Sequence, residues 1–301
     1  MSAEIVLGTA QLGSAYGINN AEGKPSKLEA FNVLDAAYNA GIRVIDTAEG
    51  YGDSESVIGT YQELRSRYFK ICTKMSNSIK IDSPYFNADL HKKFASSLNK
   101  LGVDKVYIYY LHDFLMSKNR IVLDFLLAEK SKGSIEKIGV SIYEPNELEY
   151  IVNNIPDYID VVQIPLNIFN CSQWIKEDLL SRAKDVKIDI AVRSIYLQGL
   201  VFMDPSDAFV KKLQLSDSLA ALQKVAKEMN VSVAQACCDF IRDIDEVSLV
   251  LLGCETPKQV RDNVAMFNKE TSWTKQMVEE QLAISVALDQ GILDPRTWNK
   301  G

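Results

Sequence analysis

The chain is poor in the residues that build metal centres and disulfide frameworks. It has two histidines, His91 and His112, and five cysteines, at positions 72, 171, 237, 238 and 254. An odd count with one adjacent pair and no Cys-x-x-Cys spacing supports neither a disulfide framework nor a zinc cluster. The plain reading is free thiols in a reducing compartment, with no resident metal. Long apolar runs are also missing. The stretch 249–252 is typical of the longest, far short of the roughly 18–20 residues that span a bilayer. The first residues show no basic stretch followed by an apolar one, so no secretory signal is read and the cytoplasm is the expected location. Basic charge is in deficit. Thirty-three Lys and Arg face 40 Asp and Glu, a net charge of −7, which provides no global attraction for phosphate backbones. Neither nucleic acid nor a membrane is an expected partner.

What is present is an ordinary globular balance, 47% hydrophobic and 24% charged, enough for a large core in a 301-residue chain. Short runs dense in Val, Ile and Tyr predict strands at 5–8, 43–47, 69–73, 105–112, 137–142, 161–166, 188–194 and 247–253. Helical periodicity predicts helices at 27–40, 87–101, 119–132, 145–154, 172–184, 216–229, 233–243 and 257–267. Eight strand–helix alternations argue for an α/β fold of one kind, a single closed (β/α)8 TIM barrel. A doubly wound open sheet is the competitor, but no Gly-x-Gly-x-x-Gly follows the first strand. One domain over 1–301 is expected. The stretch 196–212 is long for a strand-to-helix loop and carries apolar residues, as ligand-covering loops do. A further helix at 275–288 and a tail with Pro295 and Trp298 must pack outside the barrel.

Barrel chemistry gathers at the C-terminal ends of strands. The second, third and fourth strands end at or beside Asp46, Lys74 and His112, with Tyr51 in the loop after Asp46. Neighbouring strands lie about 4.8 Å apart, so the four side chains can share one pocket. The set is chemically coherent. A carboxylate keeps an ammonium charged and oriented, and the ammonium lowers the pKa of a nearby phenol from its usual value of about 10. Such a phenol can donate a proton to a carbonyl oxygen as negative charge grows there.

The run Asp46-Thr47-Ala48-Glu49-Gly50-Tyr51-Gly52-Asp53-Ser54-Glu55 resembles the aldo-keto reductase signature. Thr73-Lys74, the segment from Asp104 to Leu111-His112, and Leu7-Gly8-Thr9-Ala10-Gln11-Leu12-Gly13 are similar to other segments of that family, and the likeness runs from about residue 4 to 268. It implies an NAD(P)H-dependent reductase on a barrel. Tyr51 would be the proton donor, Lys74 and Asp46 its tuning pair, and His112 the substrate-orienting partner. Ser141 and Gln163 would meet the nicotinamide carboxamide. Ser194, Gln198 and Gly199 would hold the pyrophosphate, and Gln259 and Asn263 would lie beside the adenosine. Gly8, Thr9, Asp46, Arg193, Gly253 and Glu255 complete the expected cofactor site. Gln11 and Tyr16 join Tyr51 and His112 in the expected substrate site, with Phe114, Tyr143, Asn167 and Tyr196 as further pocket candidates. That mix of aromatic and amide groups suits a polar carbonyl compound such as a sugar or sugar derivative.

Three positions depart from the family pattern. Ser141 is followed by Ile142 where Asn is common, which puts one carboxamide contact in question. Arg193 stands where an aromatic commonly stacks on the nicotinamide, and a guanidinium can stack but adds charge. After the eighth strand, Gln259 stands near a usual Arg. Glu255 is suited to a ribose hydroxyl and repels a phosphate, while Lys258 and Arg261 stand nearby as cations. The expected cofactor is NADPH, with NADH as the alternative. A catalytically slow cofactor-binding regulatory protein is the second functional reading. A Schiff-base aldolase using Lys74 is a third, opposed by Asp46, because such a lysine must lose its charge.

Overall fold

The computed structural model describes residues 3–18, 20, 23–76, 83–175, 178–269, 273–288 and 290–298. Eight strands are present: β1 (Glu4–Gly8), β2 (Val44–Asp46), β3 (Lys70–Met75), β4 (Val106–Leu111), β5 (Ile135–Ser141), β6 (Val161–Pro165), β7 (Asp189–Arg193) and β8 (Val247–Gly253). They pair in chain order and close into a barrel, with every pairing parallel, including that of β8 to β1. The register aligns Gly8 with both Asp46 and Gly253, Lys74 with Tyr110, and Ser141 with Gln163.

Alternation along each strand separates two cores. Val6, Val44, Cys72, Ile108, Tyr110, Val161, Ala191, Leu249 and Leu251 fill the barrel interior. The intervening positions, such as Leu7, Ile45, Ile71 and Val162, pack outward under the helices. Local chemistry starts and stops those helices. Ser26 and Glu29 form a reciprocal capping box ahead of Lys27–Asn39, and Gly133 takes the left-handed conformation after Arg120–Lys132.

The structure differs from the sequence expectation in three places. The helix Ser54–Arg65 fills the gap between β2 and β3, in addition to the helices that periodicity predicts. The single helix expected at 172–184 is two, Cys171–Ile175 and Leu179–Asp185. Asp178 has φ +52, a left-handed residue that a continuous helix does not accommodate; residues 176 and 177 lie outside the described residues. The long segment after β7 contains a 3-10 stretch, Leu197–Phe202, and a short helix, Ala208–Lys212. The tail helix Lys275–Ala287 docks through Ser285 on Ser172 (2.9 Å) and Gln281 on the Ile168 carbonyl (3.0 Å). None of the described helices is long and apolar enough to cross a membrane.

Candidate active site

Asp46, Lys74, Gln163 and Arg193 share the strand parity of the interior residues Val44, Cys72, Val161 and Ala191, so they point along the barrel axis at its C-terminal end. Lys74 donates to Asp46 Oδ1 and to the Thr47 carbonyl (3.0 Å). Gln163 Nε2 donates to the other carboxylate oxygen, Asp46 Oδ2, at 3.0 Å. Both members of the ion pair are buried. Burial alone would depress the Lys74 ammonium, but Asp46 and then Tyr51 outweigh it and hold its pKa above the usual value. The lysine therefore stays charged.

Tyr51 sits above this pair. Lys74 Nζ is 5.1 Å from the centre of its ring, and the His112 ring lies edge-on at 6.2 Å. The loop that carries Tyr51 is fixed from below. The Thr47 hydroxyl bonds Ser54 (3.0 Å), and Ser54 bonds the Thr9 carbonyl (3.1 Å). Burial raises the Tyr51 hydroxyl above the usual phenol value, although Lys74 pulls it down. The residue set predicts a phenol lowered by the lysine; in the folded chain desolvation and the Asp46 charge oppose Lys74, and the phenol stays protonated. His112 is pushed down to about 4 by burial and by the positive charges of Lys74 and Arg193, so it is neutral at pH 7.

A cavity of about 440 Å3 opens over these groups. Asp46, Tyr51, His112, Ser141, Gln163 and Arg193 line its deep end, and Gly8, Thr9, Gln11, Tyr16 and Gly253 line the wall beside β1 and β8. Ser194, Gln198, Gly199, Glu255, Gln259 and Asn263 continue it outward. Ser194, Leu197, Gln198 and Gly199 all have positive φ, between +46 and +93. Three of them are not glycine, so backbone strain is concentrated on this wall.

A family model described as "Aldo/keto reductase family" matches residues 4–282. The chain belongs to that family. A curated aldo-keto reductase from Mycobacterium sp. (strain KMS) is 32% identical over 274 residues, covering 88% of this chain and 87% of the relative. The NADH-specific methylglyoxal reductase of Escherichia coli (strain K12) is 26% identical, covering 87% of this chain and 89% of the relative. Among solved structures, an aldo-keto reductase from Bacillus halodurans in its holo form superposes with a TM-score of 0.74 at 18% identity, covering 97% and 96% of the two chains. This aldo-keto reductase is accordingly an NAD(P)H-dependent oxidoreductase.

Several expected site residues of this aldo-keto reductase have other surroundings. Lys74 does not line the cavity; it lies behind Tyr51. The Thr9 hydroxyl donates to the Asp46 carbonyl (2.8 Å) and braces β2. Gln11 lies against Gly253, where a Cβ would come within 2.6 Å of its Nε2, placing it toward β8. Tyr196 turns its hydroxyl to Asn263 Oδ1 (3.0 Å) and Cys238 (2.9 Å), at the outer end of the cavity. Phe114 is buried against Tyr150. The Asn167 side chain caps its own turn through the Phe169 N–H (2.9 Å). Gln259 closes a capping box with Thr256, its Oε1 accepting from the Glu255 N–H (2.6 Å). Of the nearby cations, Lys258 is paired with Asp262 (2.5 Å), and neither it nor Arg261 lines the cavity. Sequence reasoning missed Tyr110, whose ring lies beneath Lys74, and Gly139, where a Cβ would strike that ring at 2.3 Å. The signal was available: Tyr110 is two residues before His112 and shares its inward parity.

Proposed function

We propose that the protein reduces a small polar aldehyde or ketone to its alcohol, with Tyr51 as proton donor and His112 as the neutral partner that orients the carbonyl. The observation that carries this reading is the placement of a protonated phenol at the cavity wall directly over a buried Lys74–Asp46 pair. As negative charge grows on the substrate oxygen, the Tyr51 proton moves to it, and the Lys74 ammonium offsets the charge left on the phenol. Asp46 and the Thr47 carbonyl hold that ammonium in place.

A nicotinamide cofactor supplies the hydride when bound. The donor set suits one. Gln163 gives its amide nitrogen to Asp46, which leaves its Oε1 buried with no partner; a carboxamide N–H would satisfy it. Ser141 is its neighbour across the β5–β6 pairing. The strained wall at Ser194, Gln198 and Gly199 would hold the pyrophosphate, and Gly253, Gln259 and Asn263 the adenosine, with Gly8 leaving the floor open. Between the two cofactor forms we infer NADH. NADPH was the expectation from the family, but Glu255 puts a carboxylate on the outer cavity wall, Lys258 is taken up by Asp262, and no Lys or Arg lines that wall among the described residues. A 2′-phosphate would face repulsion. The NADH-specific relative is in keeping with this. We also propose that residues 1–301 make a single domain and that the enzyme works in a reducing compartment such as the cytoplasm, which suits five buried, unpaired thiols.

The test is fluorescence titration of the protein with NADH and NADPH, followed by turnover of simple aldehydes and ketones. Tight NADH binding with aldehyde-dependent oxidation of the cofactor is the expected result. Binding of neither cofactor, or binding with no turnover of any carbonyl compound, rejects the reading.

A further inference from the structure

Arg193 brings a positive charge to the deep end of the cavity, and no carboxylate among the described residues bonds to it. It ends β7 with the inward parity of Ala191. Its Nη2 donates to the Ile142 carbonyl (3.0 Å), and its guanidinium lies 4.2 Å from the centre of the Tyr143 ring. Among the described residues no carboxylate forms an ion pair with it. A guanidinium has five N–H donors, so most remain for the cavity.

The other charges at this end are accounted for. Asp46 is paired with Lys74. Tyr16 and Tyr51 are held protonated by burial, and His112 is neutral at pH 7. Asp294 is near enough to feel Arg193 but grips Arg296, at 2.8 Å to Nε and 2.6 Å to Nη2. Neither Asp294 nor Glu144 lines the cavity. The carboxylates that do line it apart from Asp46 are Glu255 and Asp262, on the outer wall after β8. A second guanidinium reaches the same ring. The C-terminal segment brings Arg296 to 3.4 Å from the centre of the same Tyr143 ring, but its charge is matched by Asp294, so the tail braces the aromatic wall and leaves Arg193 as the cavity's own cation.

We propose that the substrate carries an anionic group, a carboxylate or a phosphate, which Arg193 receives while the carbonyl meets Tyr51 and His112, with the Arg296–Asp294 pair bracing Tyr143 from behind. This rests on the carbonyl-reductase reading above and narrows it. A guanidinium has a flat face for a ring and N–H donors along its edge, so contact with a nicotinamide and a grip on an anion are compatible. Arg193 is held by a ring and a carbonyl rather than by a carboxylate, so an incoming anion displaces no ion pair.

The experiment compares kcat/KM of the cofactor-saturated enzyme on matched aldehydes: benzaldehyde against 2-carboxybenzaldehyde, and glyceraldehyde against glyceraldehyde 3-phosphate. A charge-assisted contact predicts that at least one anionic member exceeds its neutral partner by roughly 10- to 150-fold, and which pair shows it separates carboxylate from phosphate. Arg193→Met should collapse that ratio toward one, and Arg193→Lys should keep much of it. Because a ratio is read, a general loss of activity in the Arg193 variants cancels. Equal turnover of neutral and anionic members by the wild type overturns this proposal and leaves carbonyl reduction standing. Turnover of no aldehyde at all overturns the proposed function itself. The cofactor pyrophosphate is the other anion within the site. If Arg193→Met weakens cofactor binding tenfold or more while the substrate ratio holds, the arginine serves the cofactor and the proposal is wrong.

Discussion

Gly13 and Gly52 meet backbone to backbone, and their contact sets the height of the Tyr51 loop. A Cβ on Gly52 would fall 2.1 Å from the Gly13 carbonyl oxygen, and one on Gly13 would fall 1.8 Å from the Tyr51 carbonyl oxygen. Gly52 also has φ +58, in the region that favours glycine. Neither loop can accept a methyl without moving. Gly13→Ala should therefore displace Tyr51 relative to Lys74. A misplacement of about 1 Å costs on the order of 100-fold in rate. Wild-type kcat in a folded Gly13→Ala enzyme would show that the contact does not position the tyrosine.

Tyr51→Phe keeps the ring over Lys74 and removes the hydroxyl. On the proposed mechanism kcat falls by roughly 10²- to 10⁴-fold, while the dissociation constant for NADH stays within a few-fold. Steady-state rates and a cofactor titration on the same preparation check both halves. Full activity in the variant would exclude Tyr51 as the donor.

Asp46→Asn leaves the Lys74 ammonium buried without its carboxylate. Removing one partner of a buried pair typically costs about 3–5 kcal/mol, and here Gln163 Nε2 also loses its charged acceptor. Urea denaturation should show a loss of that order, with activity falling in parallel. A variant as stable as the parent would mean that the Thr47 carbonyl and solvent suffice for the lysine.

The pH dependence of stability should report His112. Its pKa is about 4 in the folded chain against 6.5 unperturbed, so between those values the unfolded chain binds the extra proton. Stability is therefore present above about pH 6.5 and declines as pH falls toward 4. His112→Asn should flatten this part of the profile. An unchanged slope in the variant would assign the titration to another group.

Glu255→Gln should raise the ratio of kcat/KM for NADPH over NADH, by several-fold for one partly exposed charge. Arg261→Ala should leave the ratio alone, because Arg261 is outside the cavity wall. If the arginine substitution moves the ratio and the glutamate substitution does not, the adenosine end is oriented differently from the proposal.

Much of this protein was readable from residue order because the governing rules are local. A strand alternates its faces every two residues, so Val44 to Asp46, Cys72 to Lys74 and Tyr110 to His112 declare both the barrel lining and the groups at its rim. Short runs of Val and Ile between capped helices were enough for eight strands and their closure. Residues whose partners are distant in the chain were not readable in this way. Whether Lys74 lowers the Tyr51 pKa depends on how much water the fold removes, and burial won. Gln11 lies against Gly253 of β8 and Tyr196 bonds Asn263 of the helix Pro257–Phe267, contacts set by distant parts of the chain. Gly13 and Gly52 stand in recognisable motifs, but the reason for them, as for Gly139, shows only where another backbone or ring arrives. The meeting of Arg193, Tyr143 and Arg296 is the clearest case. It joins the ends of two strands to a tail about a hundred residues later, and only closure of the barrel and return of the C-terminal segment bring those charges to one ring.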